Sequence, residues 1–598
     1  MKQIILLSLT FLFVFFGSKI QAQTYNTDKS LKGFDKYIEQ VMQDWNAPGI
    51  AVGIIIKDEL VYAKGFGYRD LENKLPITSK TLFPIASNTK LFTAVAMGML
   101  VEDGTLAWDK PISNFVPKIK FNTQELYNTV TLRDMLAHRT GISRHDNIWY
   151  KSDFSRKELY DRLQFLEPVQ PLRQSFLYNN LMYMASGYNL ELLTGKTWEQ
   201  FVQENIFSPL SMNSTLFTIE AMEKTKDFAV PYYEDRDTDL LAKYPFYREM
   251  QGVGPAGSII SNLEDMSNWV SALMNKGDFQ GKNVISNDIL RETLQPAMAL
   301  PNTALETKGY DEILNPAYGM GRSSASYKGH FLTKHGGAIG GFYSQVSMLP
   351  YDSIGVVVFV NGAHNRPLTD FITYNIYDRL LGLEQTDFNG RSLKERIDGK
   401  KAAKEARKTA GDTRIANTTP SHPLADYVGQ YEDPAYGILS ITLDGTALAF
   451  DFHNTKLPLD HYHYDRFDTP DDQLLGKYSV NFSTNPQGEI ATAVMSIDEG
   501  EVVFLKKPDA SLSATATLNN YVGSYELAGD IVKIELMDGN QLIALSTGQP
   551  PITLVPYKTN KFKVKEFSDY LVDFSLEGND VKIMKLIVPG GAYDYVKK

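Results

Sequence analysis

The chain has 598 residues, 43% hydrophobic and 12% aromatic, with a formal net charge of −11 and no cysteine. Its length and apolar content suffice for several packed domains. An acidic chain with no basic arm argues against nucleic acid and gives no electrostatic reason to seek anionic lipid. The lack of thiols excludes disulfides and a lipid-modified cysteine.

Met1-Lys2 precedes an apolar run, Ile4 to Phe16, and then Gly17-Ser18-Lys19-Ile20-Gln21-Ala22. This reads as a signal peptide over residues 1–22, cut after Ala22, and predicts a periplasmic or secreted protein. A retained anchor is the alternative, but the run is shorter than the roughly 20 residues a membrane span needs. No later stretch reaches that length, so no integral span is expected after the leader is removed.

Ile50 to Ile56 and Leu60 to Ala63, around Lys57-Asp58-Glu59, read as a β-hairpin. Ser87-Asn88-Thr89-Lys90 follows, at the start of an almost wholly apolar helix from Leu91 to Val101. There a serine feels the positive end of the helix dipole. The lysine three residues on lies on the same face, and a desolvated ammonium loses proton affinity. Ser87 and Lys90 thus suit an activated nucleophile and its base. Read alone, they are also an N-cap serine and a solvated lysine.

Helical patterns dominate the middle, for example Lys157 to Leu166, Trp198 to Ile206 and Leu263 to Met274. Among them Tyr178-Asn179-Asn180 stands between a loop and an apolar helix, with Asn180 near the N-cap. A phenol flanked by cations has its pKa lowered toward the range for proton relay. By itself the stretch also reads as a loop anchor and a cap. Next comes Lys334-His335-Gly336-Gly337-Ala338, then Gly340-Gly341-Phe342 and a second hairpin, Tyr343 to Leu349 with Ile354 to Val360, and a helix from Leu368 to Leu381. Glycines on such a strand admit a substrate backbone and leave N–H groups for an oxyanion. These patterns predict an α/β sandwich with a helical insertion.

The order Ser-x-x-Lys, Tyr-x-Asn, His-x-Gly resembles the penicillin-recognising serine hydrolases: class C β-lactamases, D-alanyl-D-alanine carboxypeptidases, D-aminopeptidases and related esterases. Gly65 to Asp70, Leu136 to Ile142 and Gly254 to Ser258 also look like that family, and the match covers roughly residues 32 to 385. The resemblance implies that Ser87 forms an acyl-enzyme, that Lys90 and Tyr178 share general base and acid duty, and that Asn180 contacts the substrate amide and steadies Lys90. Two registers fit the third motif. Aligning Gly340-Gly341-Phe342 with the family's Gly-Gly-Phe puts His335 in the lysine place, with Gly337 beside it. It also makes the amides of Ser87 and Ala338 the oxyanion hole. His335, only partly charged at neutral pH, replaces a lysine that pairs with substrate carboxylate in familiar β-lactamases. The resemblance implies a site in the cleft between sheet and helical part, with no metal and no cofactor.

Beyond about residue 390 the composition changes. Residues 391–420 read as a charged linker, within which Lys394 to Lys408 alternates charges with alanines like an exposed helix or linker, and residues 421–510 and 511–598 read as two small β domains. Leu424-Ala425-Asp426-Tyr427-Val428-Gly429-Gln430-Tyr431-Glu432 matches Leu518-Asn519-Asn520-Tyr521-Val522-Gly523-Ser524-Tyr525-Glu526 at an offset of 94. These antiparallel, barrel-like modules resemble the lipocalin-like domains of some related peptidases. The resemblance implies self-association or a wall of the cleft; a mere spacer is the alternative. His461 and His463 alternate along one strand but have no second cluster to complete a metal site.

The expected architecture is therefore α/β: a β-lactamase-like sandwich over residues 23–390, then two β-barrel-like domains. The expected function is acyl transfer on small amide substrates, D-amino-acid peptides or peptidoglycan fragments. An esterase, lactonase or β-lactamase, and a slowly turning-over sensor, are the alternatives.

Overall fold

The computed structural model describes residues 25–409, 413–498, 500–538, 540–578 and 580–598. The leader lies outside the described residues. No helix among the described residues is long and apolar enough to cross a membrane.

The catalytic region is built on a nine-stranded antiparallel sheet. Its central strands are Gly49–Ile56 and Ile354–Val360, paired from Ile50↔Val360 to Ile56↔Ile354. Both are nearly continuous runs of β-branched residues, buried along almost their whole length, as a sheet covered on both faces requires. Strand alternation sorts their side chains. Ile50, Val52 and Ile54 pack with the helices Phe34–Asp44 and Leu368–Leu381 on one face. Ala51 and Ile55 pack on the other with Thr89–Glu102 and Leu263–Met274. Gly53 leaves room for Leu263, whose Cδ2 would lie 3.3 Å from an added Cβ. The helical insertion lies on this second side.

Two closed eight-stranded antiparallel barrels follow. Gly429–Asp433 closes the first against Gly500–Lys506, and Gly523–Leu527 closes the second against Gly591–Lys597. The repeat is structural as well as sequential: the Tyr431 hydroxyl donates to the Tyr427 carbonyl at 2.7 Å, and Tyr525 to Tyr521 at 2.8 Å. Aromatic rings fill the first barrel, with Phe482 against Tyr427, Tyr431 and Phe467.

The charged stretch, for which an exposed helix or linker was expected, includes a helix, Phe388–Thr409. It is tied to the catalytic region, because Arg396 and Lys400 both reach the nearly buried Glu234 carboxylate. Its alternating charges therefore serve ion pairs as well as solvation. His461 and His463 spend ring nitrogens on backbone groups of Tyr464 and Ile415.

Candidate active site

Ser87 belongs to a short 3-10 turn, Ala86–Asn88, immediately ahead of the apolar helix Thr89–Glu102. The helix was expected to begin at the serine itself. The turn instead places Ala86 at φ 48°, a left-handed conformation that costs an L-residue energy. Neighbours on every side hold it there. The Ser344 hydroxyl donates to the Ile85 carbonyl at 2.6 Å and accepts from Asn88 Nδ2 at 2.8 Å.

Lys90 is fully buried, with its Nζ 3.1 Å from Ser87 Oγ, 2.7 Å from Asn180 Oδ1 and 2.8 Å from the Ala256 carbonyl oxygen. Burial, and secondarily the Arg144 cation, hold its pKa well below the ordinary lysine value. A neutral amine has two N–H donors and one lone pair. Asn180 and Ala256 only accept at these atoms, so they take the two hydrogens and the lone pair faces the Ser87 hydroxyl. The same three contacts suit an ammonium, and it is burial that favours the neutral amine.

Tyr178 hydrogen-bonds Ser87 through its side chain. The amine of Lys90 lies 4.8 Å from its ring centroid and the Arg144 guanidinium 5.1 Å. The neighbouring cation was expected to lower the phenol pKa. Burial outweighs it, and the net shift is upward. Tyr178 therefore rests as a protonated phenol. The helix cap is Asn179, whose Oδ1 accepts from Met182 N–H, while Asn180 is the first helical residue and turns its amide to Lys90. The amide hydrogen of Asn179 goes to His138 Nδ1 at 3.0 Å, so the buried His138 braces the same loop.

The third motif lies on the strand His330–Ile339. Its pairing with Ser323–Tyr327 stops at Lys334, while pairing with Phe342–Leu349 continues to Ile339. Backbone N–H groups alternate between the two edges of a strand. Tyr327↔His330 is a tight-hairpin pair, so even-numbered residues turn toward the first neighbour. The N–H of Ala338 therefore faces the open edge. Gly337 brings that edge close to the serine turn: an added Cβ would stand 2.1 Å from the Ile85 carbonyl oxygen. The N–H of Ser87 lies at the front of its turn, where helical geometry offers no carbonyl.

Alternation also decides the register. Lys334 turns away from the site, to Asp370 and the Tyr374 hydroxyl. His335 occupies the site side, but not as a partial cation. Its Nδ1 lies 2.7 Å from the Gly336 carbonyl, which requires a hydrogen on Nδ1. Its Nε2 lies 3.0 Å from the Tyr318 hydroxyl and is left as the acceptor. Burial, with Lys90 nearby, brings its pKa down to about 3. The ring is neutral, and both nitrogens are occupied.

Residues outside the expected set complete the site. Asp146 Oδ1 accepts from Asn180 Nδ2 at 2.9 Å and from Trp149 Nε1 at 2.8 Å, and Arg144 pairs with its other oxygen. Asp146 and Ala338 both lie in the wall of a cleft of about 740 Å³. Its far wall is the first barrel's segment 471–476, pinned by the Arg236–Asp471 pair at 2.9 Å and by Arg236 N–H to Gln473 Oε1 at 3.0 Å. No sequence pattern marks Asp146 or this barrel segment, while Ala256 lies in the family-like stretch Gly254 to Ser258, which gave it no role.

A serine–lysine pair, a tyrosine hydroxyl on the same serine and an open strand edge, set on this sandwich, define a serine hydrolase. The chain belongs to the β-lactamase family, whose profile matches residues 34–381. A second profile, a domain of unknown function (DUF3471), matches residues 413–504, the region of the first barrel. The unguisins hydrolase ungD' of Aspergillus campestris is 27% identical over 434 residues, covering 69% of this chain and 77% of the relative. Protein flp of Staphylococcus aureus is 25% identical over 343 residues, covering 56% and 64%. Among solved structures, the octameric penicillin-binding protein homologue from Pyrococcus abyssi aligns at TM-score 0.54 and 23% identity. It covers 79% of this chain and 99% of the relative, a likeness of fold.

Proposed function

We propose that the protein is an exported amide hydrolase working through an ester on Ser87. The observation that carries this reading is the three-way setting of the buried Lys90 amine, 3.1 Å from Ser87 Oγ, which in its neutral form turns its lone pair to that hydroxyl. In acylation, Lys90 takes the hydroxyl proton as Oγ bonds to the substrate carbonyl carbon. The N–H groups of Ser87 and Ala338 receive the negative charge on the former carbonyl oxygen. The C–N bond then breaks, the leaving amine takes the Tyr178 proton, and the proton on Lys90 restores the phenol. Deacylation repeats the sequence with water as nucleophile and releases a carboxylic acid and free Ser87.

The substrate side of the cleft favours acyl groups without a free carboxylate. His335 is neutral with both nitrogens occupied, Lys334 faces away, and Arg144 is held by Asp146. We assign short peptides or peptide amides containing D-residues as substrates, ahead of carboxylate-bearing β-lactams. The name of the relative, unguisins hydrolase, is consistent with a hydrolase. Export rests on the leader of residues 1–22.

The test is a panel of D- and L-alanyl peptides, their amides, nitrophenyl esters and nitrocefin, run with wild type and Ser87→Ala. Ser87-dependent cleavage of D-peptide amides supports the assignment. Cleavage of esters alone moves it to an esterase, and a trapped adduct without turnover moves it to a sensor.

A further inference from the structure

The first barrel grips the catalytic region at the short turn Asp146–Ile148. His145, on one side of Asp146, has its Nδ1 2.7 Å from the hydroxyl of Tyr436. Asn147, on the other side, gives its backbone N–H and its side-chain amide to the Asp498 carboxylate, the latter at 3.0 Å. Tyr436 and Asp498 are joined to each other at 3.1 Å. Both belong to the barrel. Between these two attachments Asp146 orients the Asn180 amide, and Asn180 holds the amine of Lys90. His145 has φ 47°, so the turn begins on a left-handed residue that its surroundings must hold in place.

We infer that Tyr436 and Asp498 are positioning residues for the catalytic amine, acting through the turn that carries Asp146, so that docking of the first barrel sets the base. This rests on the serine-hydrolase reading above, in which Lys90 activates Ser87. An amide has two ends, and only one orientation of Asn180 offers oxygen to Lys90 and nitrogen to a carboxylate. An acidic partner held at Asp146 fixes that orientation. It also opposes the effects that depress the Lys90 pKa. Burial and Arg144 lower it, and Asp146 raises it. The other polar or titratable groups around the amine are Tyr178, Tyr183, His138 and His335. Among the described residues none of these four hydrogen-bonds the barrel.

Releasing the turn therefore has two signatures. The amine is held less well, and it loses its nearest anion. The acid limb of Ser87 reactivity then moves to lower pH, because Asp146 raises the Lys90 pKa and more acid is needed to protonate the amine once that anion has gone.

The experiment uses the full chain and three variants: Asp498→Ala, the milder Tyr436→Phe, and Asn454→Ala as a control. Asn454 also bridges barrel and catalytic region, to the Lys151 carbonyl and Asp153, away from Asp146. Two readouts are taken on each folded protein: amide hydrogen exchange over residues 143–149, and the pH dependence of Ser87 labelling by a fluorophosphonate. Asp498→Ala is expected to speed exchange in that segment. It is also expected to slow labelling at neutral pH by about tenfold or more, as small misplacements at a reacting centre do, and to shift the acid limb downward. Tyr436→Phe is expected to do the same to a smaller extent, and Asn454→Ala to do neither. Unchanged exchange over 143–149 in both clamp variants overturns the inference. So does a labelling profile within twofold of wild type, or an equal loss in Asn454→Ala. If wild-type Ser87 takes no label, the hydrolase reading fails, and the exchange result alone still decides whether the barrel holds the turn.

Discussion

The amine of Lys90 stands 3.1 Å from the hydroxyl oxygen of Ser87, with its other two directions filled by acceptors from Asn180 and Ala256. A lysine in water is a cation and a poor base. Here burial holds the pKa well below the ordinary lysine value, and in the neutral amine the two acceptors aim the lone pair at Ser87.

Arginine at position 90 cannot lose its proton, and alanine offers no base. Lys90→Arg and Lys90→Ala are both expected to slow Ser87 acylation by roughly 10²–10⁴-fold, the usual share of general-base catalysis. In wild type the rate should rise with pH as Lys90 deprotonates. It should reach its plateau well below the ordinary lysine pKa, because the shift is downward. Single-turnover labelling across pH checks both statements. A limb at the ordinary lysine value would contradict the buried-amine account.

Gly337 is where the oxyanion edge meets the serine turn. An added Cβ would lie 2.1 Å from the Ile85 carbonyl oxygen and 2.4 Å from Ser344 Oγ, so one of these segments must move. Gly337→Ala is expected to lower kcat about 10²–10³-fold, the range for loss of an oxyanion donor. Overpacking of this kind costs about 1–3 kcal/mol, so thermal unfolding should show a folded protein. Near-normal kcat would mean that Ala338 does not hold the oxyanion.

His335 replaces a cation with a neutral ring. His335→Lys is expected to favour carboxylate-bearing substrates over their amides by about tenfold or more, since a hydrogen bond to a charged group contributes about 1.5–3 kcal/mol. Paired kcat/KM values for a D-peptide acid and its amide measure this. Wild type should prefer the amide, and an unchanged ratio in the variant would remove His335 from substrate selection.

Asp134 is buried and ties together the loops that carry His138 and Tyr178, through Arg139 at 2.7 Å and Arg173 at 2.8 Å. Burial alone would raise its pKa, but Arg173, Thr131 and Arg139 outweigh it and the net shift is downward. A depressed carboxylate stabilises the fold above its unfolded pKa, and that contribution is lost as pH falls through the folded value. Asp134→Asn is expected to cost about 3–5 kcal/mol at neutral pH, because it breaks a buried ion-pair cluster. The gap in Tm between wild type and variant should hold from about pH 5 to 8 and narrow below about pH 4. A gap that widens in acid would contradict the assignment.

Much of this was legible in the sequence because it rests on local periodicity. The apolar run after Lys90 demands a buried helix, and its three-residue spacing from Ser87 survives even though the serine belongs to the preceding turn. The β-branched runs at Ile50 and Ile354 form the central pair of the sheet. The repeated Tyr-Val-Gly-x-Tyr-Glu stretch opens each barrel. What was not legible depends on long-range placement. Asp146 has no motif and matters only because the fold brings it to Asn180. The charges of His335 and Tyr178 follow from burial, which residue type does not reveal. The stretch of the helix Phe388–Thr409 was legible as an exposed helix or linker, but its docking was not, because its partners, such as Glu234, lie far away in sequence.

The central claim is that Ser87, activated by Lys90, carries the acyl group. The most direct measurement is intact-protein mass spectrometry of wild type and Ser87→Ala during incubation with a D-alanyl peptide amide, with product formation followed in the same sample. Wild type is expected to form product and carry an acyl adduct that maps to Ser87, while the variant, with an unchanged Tm, shows neither. Turnover by Ser87→Ala at the wild-type rate, or an adduct on another residue, would contradict the account.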